Sequence, residues 1–134
     1  MQESARREIR VSELNAPISH YTDAVAFGDI LFISGVAPLD GASTLVGIND
    51  PAAQTRQIFV NMGKILAAAG ASFSDVLKVT VYLTHIQDRE LINPVRQEFF
   101  GTHRPASTLV EVSALAVPGM RVEIEAIAGL PHRS

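Results

Sequence analysis

The stretch NDPAAQTRQIFVNMGKILAAAG (residues 49–70), followed closely by VLKVTVYLT (residues 76–84), reads as an amphipathic helix running into a half-buried strand. Asn49 and Asp50 offer N-cap oxygens, and Pro51 suits the first helical position, where its missing N–H costs nothing. Ile58, Met62, Ile65, Leu66 and Ala69 then recur at helical spacing, and Gly70 is a natural residue just past the end, because it tolerates the left-handed conformation. The predicted helix covers residues 51–69. In the strand, Val79, Val81 and Leu83 alternate with Lys78, Thr80, Tyr82 and Thr84, which places one apolar face against a core. A helix and a strand of such different periodicity, side by side in one short chain, define an α+β domain.

Working outward, Ile30-Leu31-Phe32-Ile33-Ser34 is a branched and aromatic run bounded by Gly28-Asp29 and Gly35, the pattern of a buried strand. Residues 7–11 alternate charged and apolar and make a short first strand. Asp40-Gly41-Ala42-Ser43 is turn chemistry, expected to close a hairpin onto Thr44-Leu45-Val46. On the other side, Asp88 is positioned to cap a second helix with the apolar stripe Leu91, Ile92, Val95, Phe99 and Phe100, ended by Gly101. Pro94 inside it removes one backbone bond. Strands over residues 108–112 and 121–128 finish the chain. The order is β-β-β-α-β-α-β-β, with two helices on one face of a mixed sheet. The second face is left open, and an apolar open face drives association.

At 134 residues and 47% apolar, the chain has the size of one domain, residues 1–134, with residues 1–6 expected as a mobile tail. A chain of this length buries roughly two thirds of its unfolded surface, enough for a single core. A net charge of −3 is too small, and the apolar fraction too high, for intrinsic disorder. The longest charge-free stretches, residues 30–39 and 65–74, fall well short of the about 20 residues that span a bilayer, so no membrane partner is expected. The start, MQESARREIR, carries no apolar leader segment, and a cytoplasmic location is expected on that ground. Only two Lys and an acidic balance argue against a nucleic-acid partner. With no Cys there is neither thiol nucleophile nor thiolate metal site. The four His (His20, His85, His103 and His132) lack ligand spacing, and Gly-rich phosphate signatures are absent. No metal and no cofactor are expected.

One constellation carries chemistry. Glu123 and Glu125, two positions apart on a strand, point the same way, opposite Val122, Ile124 and Ala126. From spacing alone the preferred reading is a solvated face. The alternative is a carboxylate facing a subunit interface, where burial raises its pKa and fits it for acid–base work.

The motifs NAP (15–17), HYTDAV (20–25), ILFISG (30–35), QTRQIFVNMGKILAAAGAS (54–72), VLKVTVYLT (76–84), INPVRQEFF (92–100), RPASTLVEV (104–112) and VEIEAIA (122–128), in that order, resemble the Rid (YjgF) family of reactive-intermediate enamine/imine deaminases. The resemblance implies a chorismate-mutase-like fold and a homotrimer with a barrel-like centre, helices outside and ligand clefts between subunits. It also implies cofactor-free hydrolysis of an enamine or imine to a carbonyl compound and ammonia. By resemblance, Glu123 is the water-orienting acid, Tyr21 lines the cleft, Ser34 and Gly35 form the pocket wall, and Asn93 opens the second helix beside the substrate. The bland alternatives are packing for Tyr21, a structural hydrogen bond for Asn93, a common strand-end residue for Ser34 and a turn for Gly35.

The chain departs from the family pattern at Ser107, which stands where an Arg clamps the substrate carboxylate. A neutral hydroxyl cannot replace a forked, permanent cation. Losing such a pair costs about 2–5 kcal/mol, which weakens turnover of 2-iminopropanoate or 2-iminobutanoate roughly 30-fold or more. Arg104 lies nearby, and an exposed loop charge is the preferred reading for it. The stretch between Pro17 and Tyr21 is also shorter than the family pattern, so the pocket rim differs. Two functions follow: a deaminase acting on an imine other than the standard short 2-imino acids, or a non-catalytic trimer that binds a small metabolite or shields clients as a chaperone-like surface. Ribonuclease chemistry fits poorly, because the chain is acidic and shows no His–His or His–Lys pair.

Overall fold

The computed structural model describes residues 5–131. Six strands, β1 (Arg6–Ile9), β2 (Ala24–Phe27), β3 (Ile30–Val36), β4 (Val76–Leu83), β5 (Ala106–Glu111) and β6 (Val122–Gly129), form one sheet in the order β1-β2-β3-β6-β4-β5. Every neighbouring pair is antiparallel except β4–β5, which is parallel. A parallel pair needs a crossover, and α2 (Arg89–Phe100) supplies it, while α1 (Pro51–Ala68) links β3 to β4.

The cap chemistry of α1 is as its sequence predicts. The Asp50 carboxylate accepts the Ala53 N–H at 3.0 Å, and Gly70, at φ 79°, lets the Gly70 and Ala71 N–H groups bond back to Ala67 and Leu66. The helix stops at Ala68, one residue before the expected end. Ile58, Phe59, Met62, Ile65 and Leu66 pack against the buried sheet positions Leu31, Ile33, Val79, Val81, Val122 and Ile124. Phe59 also meets Phe73, Phe99 and Phe100 at ring distances of 5.9, 5.3 and 5.4 Å, which ties α2 to α1.

Four local readings change. Thr44–Val46 is not a strand: Leu39 and Leu45 make a single bridge, around a turn in which Asp40 accepts the Ala42 and Thr44 N–H groups at 2.9 Å. The third early strand is β2, whose Ala-rich AVAF lacks the branched run that marks a strand; it pairs with β3 through the turn Gly28-Asp29, Gly28 taking φ 58°. Asp88 precedes α2 but does not cap it with its side chain. Its buried carboxylate instead receives two bonds from the Arg121 guanidinium, Nε and Nη2, at 3.1 Å each. The fork offers a stronger, charge-assisted bond than a backbone N–H. β1 begins at Arg6 and stops at Ile9, because the chain turns around Asp23, which takes the Val11 N–H at 2.8 Å and Arg10 at 2.7 Å. Of the expected tail, residues 1–4 lie outside the described residues, as does His132. Pro94 is accommodated within α2, which runs through it as one element.

The two sheet faces differ. Ala24, Ala26, Leu31, Ile33, Val79, Val81, Val122, Ile124, Ala126 and Ala128 are buried on the helix side. The other face presents Val25, Phe27, Phe32, Tyr82, Glu123, Glu125 and Ile127, with Phe27 61% and Phe32 49% exposed. Buried polar groups hold the loops at the rim. Fully buried Gln54 donates to the carbonyls of Gly47 and Gly119 at 3.1 and 3.0 Å and accepts the Arg121 N–H at 2.7 Å. Asn61 donates to the carbonyls of Ala37 and Leu39. Among the described residues no helix is long and apolar enough to cross a membrane, and no three His, Cys, Asp or Glu converge as a metal site.

Candidate functional site

Between Ile33 and Val36, β3 takes three steps against two on β6, since Ile33 pairs with Ala126 and Val36 with Ile124. The extra residue is a bulge in the Ser34-Gly35 pair, and bulges of this kind re-aim side chains beside functional clefts. Glu123 fills the space that the bulge opens. A Cβ placed on Gly35 would lie 2.5 Å from Glu123 Oε2, so residue 35 must be glycine for the carboxylate to rest where it does. The expectation that Gly35 forms a pocket wall thus acquires a physical reason.

Around this contact lies a cavity of ≈ 350 Å³ lined by Tyr21, Ser34, Gly35 and Glu123, with Ile18, Ser19 and Ala116 at its edge. Four of the site residues read from the sequence are therefore neighbours. The Ser34 hydroxyl donates to the Thr22 carbonyl at 2.6 Å, which fixes the strand end. The Tyr21 hydroxyl accepts the Ile18 N–H at 3.3 Å, pinning the rim.

The two acids of VEIEAIA are not equivalent. Glu125 is exposed and accepts the Tyr82 hydroxyl at 2.8 Å, a bond that raises the Tyr82 pKa ahead of burial and the negative charges of Glu125 and Glu123. Glu123 is half-buried and has no hydrogen-bond or ion-pair partner among the described residues. Burial, and secondarily the charge of Glu125, raises its pKa above the ordinary glutamate range. A carboxyl that is free, partly desolvated and easier to protonate than usual is equipped both to take a proton from water and to return it.

Asn93, Arg104 and Ser107 lie elsewhere. They line a second cavity, of ≈ 560 Å³, with Arg96, Gln97, Phe100, Gly101, His103 and Pro105. It is bounded by α2 and by the segment leading into β5. Ser107 is in register with Val79 and so projects toward the helix side, where its Oγ accepts a hydrogen bond from Arg96 Nη2 at 2.9 Å. No Asp or Glu lines this cavity, and burial lowers the Arg96 pKa. Arg104 does reach the cavity wall, although its side chain is exposed. The two cavities have no lining residue in common. Arg96 was not among the expected site residues; the available signal was its position three residues after Asn93, on the same face of a helix.

A family model described as endoribonuclease L-PSP matches residues 12–130. A RutC family protein of Pyrococcus horikoshii is 45% identical over 112 residues, covering 84% of this chain and 88% of that protein. A bovine 2-iminobutanoate/2-iminopropanoate deaminase is 38% identical over 128 residues, covering 96% of this chain and 93% of that protein. The crystal structure of a protein of unknown function from the conserved Rid family in Yersinia pestis superposes with a TM-score of 0.88 at 37% identity, covering 94% of this chain and all of the other.

Proposed function

The chain belongs to the endoribonuclease L-PSP family, the Rid (YjgF) family, and on that premise we propose that it hydrolyses a reactive enamine or imine to a carbonyl compound and ammonia. The observation that carries this reading is the unpartnered Glu123 carboxylate held against Gly35 in a cavity. Water held by Glu123 adds to the carbon of the C=N bond and gives a proton to the carboxylate. The carboxyl then passes that proton to the nitrogen, the hydroxyl proton follows to the nitrogen by way of the same carboxylate, and the C–N bond breaks to release ammonia as the carbonyl forms. One imine and one water become one carbonyl and one ammonia, with no cofactor in the balance. Positioning the water beside the imine supplies much of the rate.

The assembly proposed is a homotrimer in the cytoplasm. The exposed Phe27 and Phe32 on the open sheet face support association. Contact between neighbouring subunits would also bring the Asn93–Ser107 cavity of one to the Glu123 cavity of the next. With Ser107 contributing no charge, a carboxylate cannot be clamped from β5 as in the family pattern, and the substrate expected is an imine other than 2-iminopropanoate.

The test follows the decay of 2-iminopropanoate, 2-iminobutanoate and larger imines generated in situ by an amino-acid oxidase. Wild type should accelerate the decay of at least one, and Glu123→Gln should lose about 10²-fold or more in rate while staying folded. Equal rates for the two proteins would remove Glu123 from the chemistry. Silence of the wild type on every imine would favour a metabolite-binding or chaperone-like trimer.

A further inference from the structure

We propose that Arg96 is the anion-binding residue of this chain, that Ser107 aims it, and that the substrate carries a carboxylate which docks in the cavity beside α2. The inference rests on the deaminase reading only in calling the bound molecule a substrate; the anion site stands on its own geometry.

Arg96 lines the larger cavity from α2, one helical turn beyond Asn93, and makes no ion pair with any described carboxylate. Three other guanidiniums are committed: Arg121 to Asp88, Arg56 to Glu98, and Arg10 to Asp23. Among the described residues, Arg96 makes one side-chain hydrogen bond, from Nη2 to Ser107 Oγ. That bond uses a single N–H of a five-donor fork, leaving the other donors for a planar anion. The remaining lining is Asn93, Gln97, His103 and Arg104, which are hydrogen-bonding or cationic, with Phe100, Gly101 and Pro105. A half-buried cation with no counter-ion, in a cavity without acids, selects a negative guest, and the fork selects a carboxylate.

A hydroxyl at residue 107 therefore does a different task from a cation there. It accepts from the guanidinium and fixes its plane, moving the positive charge from β5 to the helix. The departure at Ser107 and the presence of Arg at residue 96 become one feature. A substrate bound this way is held by a group on α2, with Ser107 as a positioning residue.

The test is direct binding of 2-oxobutanoate, a carboxylate with the shape of a deaminated product, against butanone, its uncharged counterpart, by calorimetry on the assembled protein. Wild type should bind the carboxylate and not the ketone. Arg96→Gln should weaken carboxylate binding about 30-fold or more, and Ser107→Ala by a few-fold. Ser107→Thr, which keeps the hydroxyl, should recover the wild-type value, an outcome that a merely structural role for Ser107 does not predict. Arg89→Gln, at the exposed start of the same helix, should bind as wild type does. Arg96→Gln binding as tightly as wild type, or wild type binding neither compound or both alike, overturns the proposal. Carboxylate binding that depends on Arg96, in a protein that hydrolyses no imine, would leave the anion site standing and remove the deaminase reading alone.

Discussion

The cavity at the Ser34-Gly35 bulge and the cavity beside α2 are built from opposite materials. The first holds a free carboxyl against bare backbone, walled by Tyr21 and Ser34. The second holds cations and amides and contains no acid. Neither matches the other's equipment for a reaction on a charged imine: the first has no cation to hold an anion, and the second has no carboxylate to take a proton from water. On the proposed reading the chemistry would be divided between two sides of one subunit, and a symmetric assembly would be the simplest way to rejoin it.

The sharpest way to break that contrast is at Gly35. Gly35→Ala pushes only on the far end of the Glu123 side chain, so the fold should survive while the carboxylate is displaced. Turnover is expected to fall by about 10²-fold, the scale of a misplacement of roughly 1 Å, with the melting temperature little changed. A large loss of stability with activity retained would mean that the contact is packing and not positioning.

Next in size is complementation. Glu123→Gln and Arg96→Gln subunits, each impaired alone, should regain activity when refolded together, because roughly a quarter of the between-subunit sites would then join an intact Glu123 to an intact Arg96. If both residues served a site within one subunit, the mixture would stay as impaired as its components, and assays of mixed and unmixed samples distinguish the two cases.

The smallest effect is on stability against pH. The folded Glu123 carboxyl has a raised pKa through burial and the charge of Glu125. The folded state therefore favours its neutral form, and the stability this contributes is complete below the ordinary glutamate pKa of 4.5 and lost as pH rises through the raised value. Denaturation curves of wild type and Glu123→Gln should show wild type losing ground across that window as pH rises. A gain would mean that Glu123 has an ionic partner, and the contrast with the cationic cavity would blur.

The sequence made plain what is local. The helix over α1 was legible because Asp50, Pro51 and Gly70 mark its ends with chemistry that acts within a few residues. Strand β3 was legible as a branched and aromatic run between glycines, and β4 and β6 through their alternation. β2 was not, since Ala24-Val25-Ala26-Phe27 owes its strand to pairing with β1 and β3 and not to its own side chains. Asp88 was misread as a cap because a local pattern cannot see Arg121, which arrives from the segment leading into β6. In the candidate site, the resemblance singled out Glu123, while spacing gave no reason to prefer it to Glu125. That preference depends on Gly35 across one neighbouring strand and Tyr82 across the other. Arg96 went unread because its meaning comes from Ser107, a residue on another element.

Gln54 binds the first turns of α1 to the loop that delivers β6, through the carbonyls of Gly47 and Gly119 and the N–H of Arg121, two residues before Glu123. The longest helix and the strand that carries Glu123 are thereby fastened by one amide. Heating that frays the start of α1 should free the start of β6 as well, so loss of the helix and displacement of Glu123 are expected to follow a single curve.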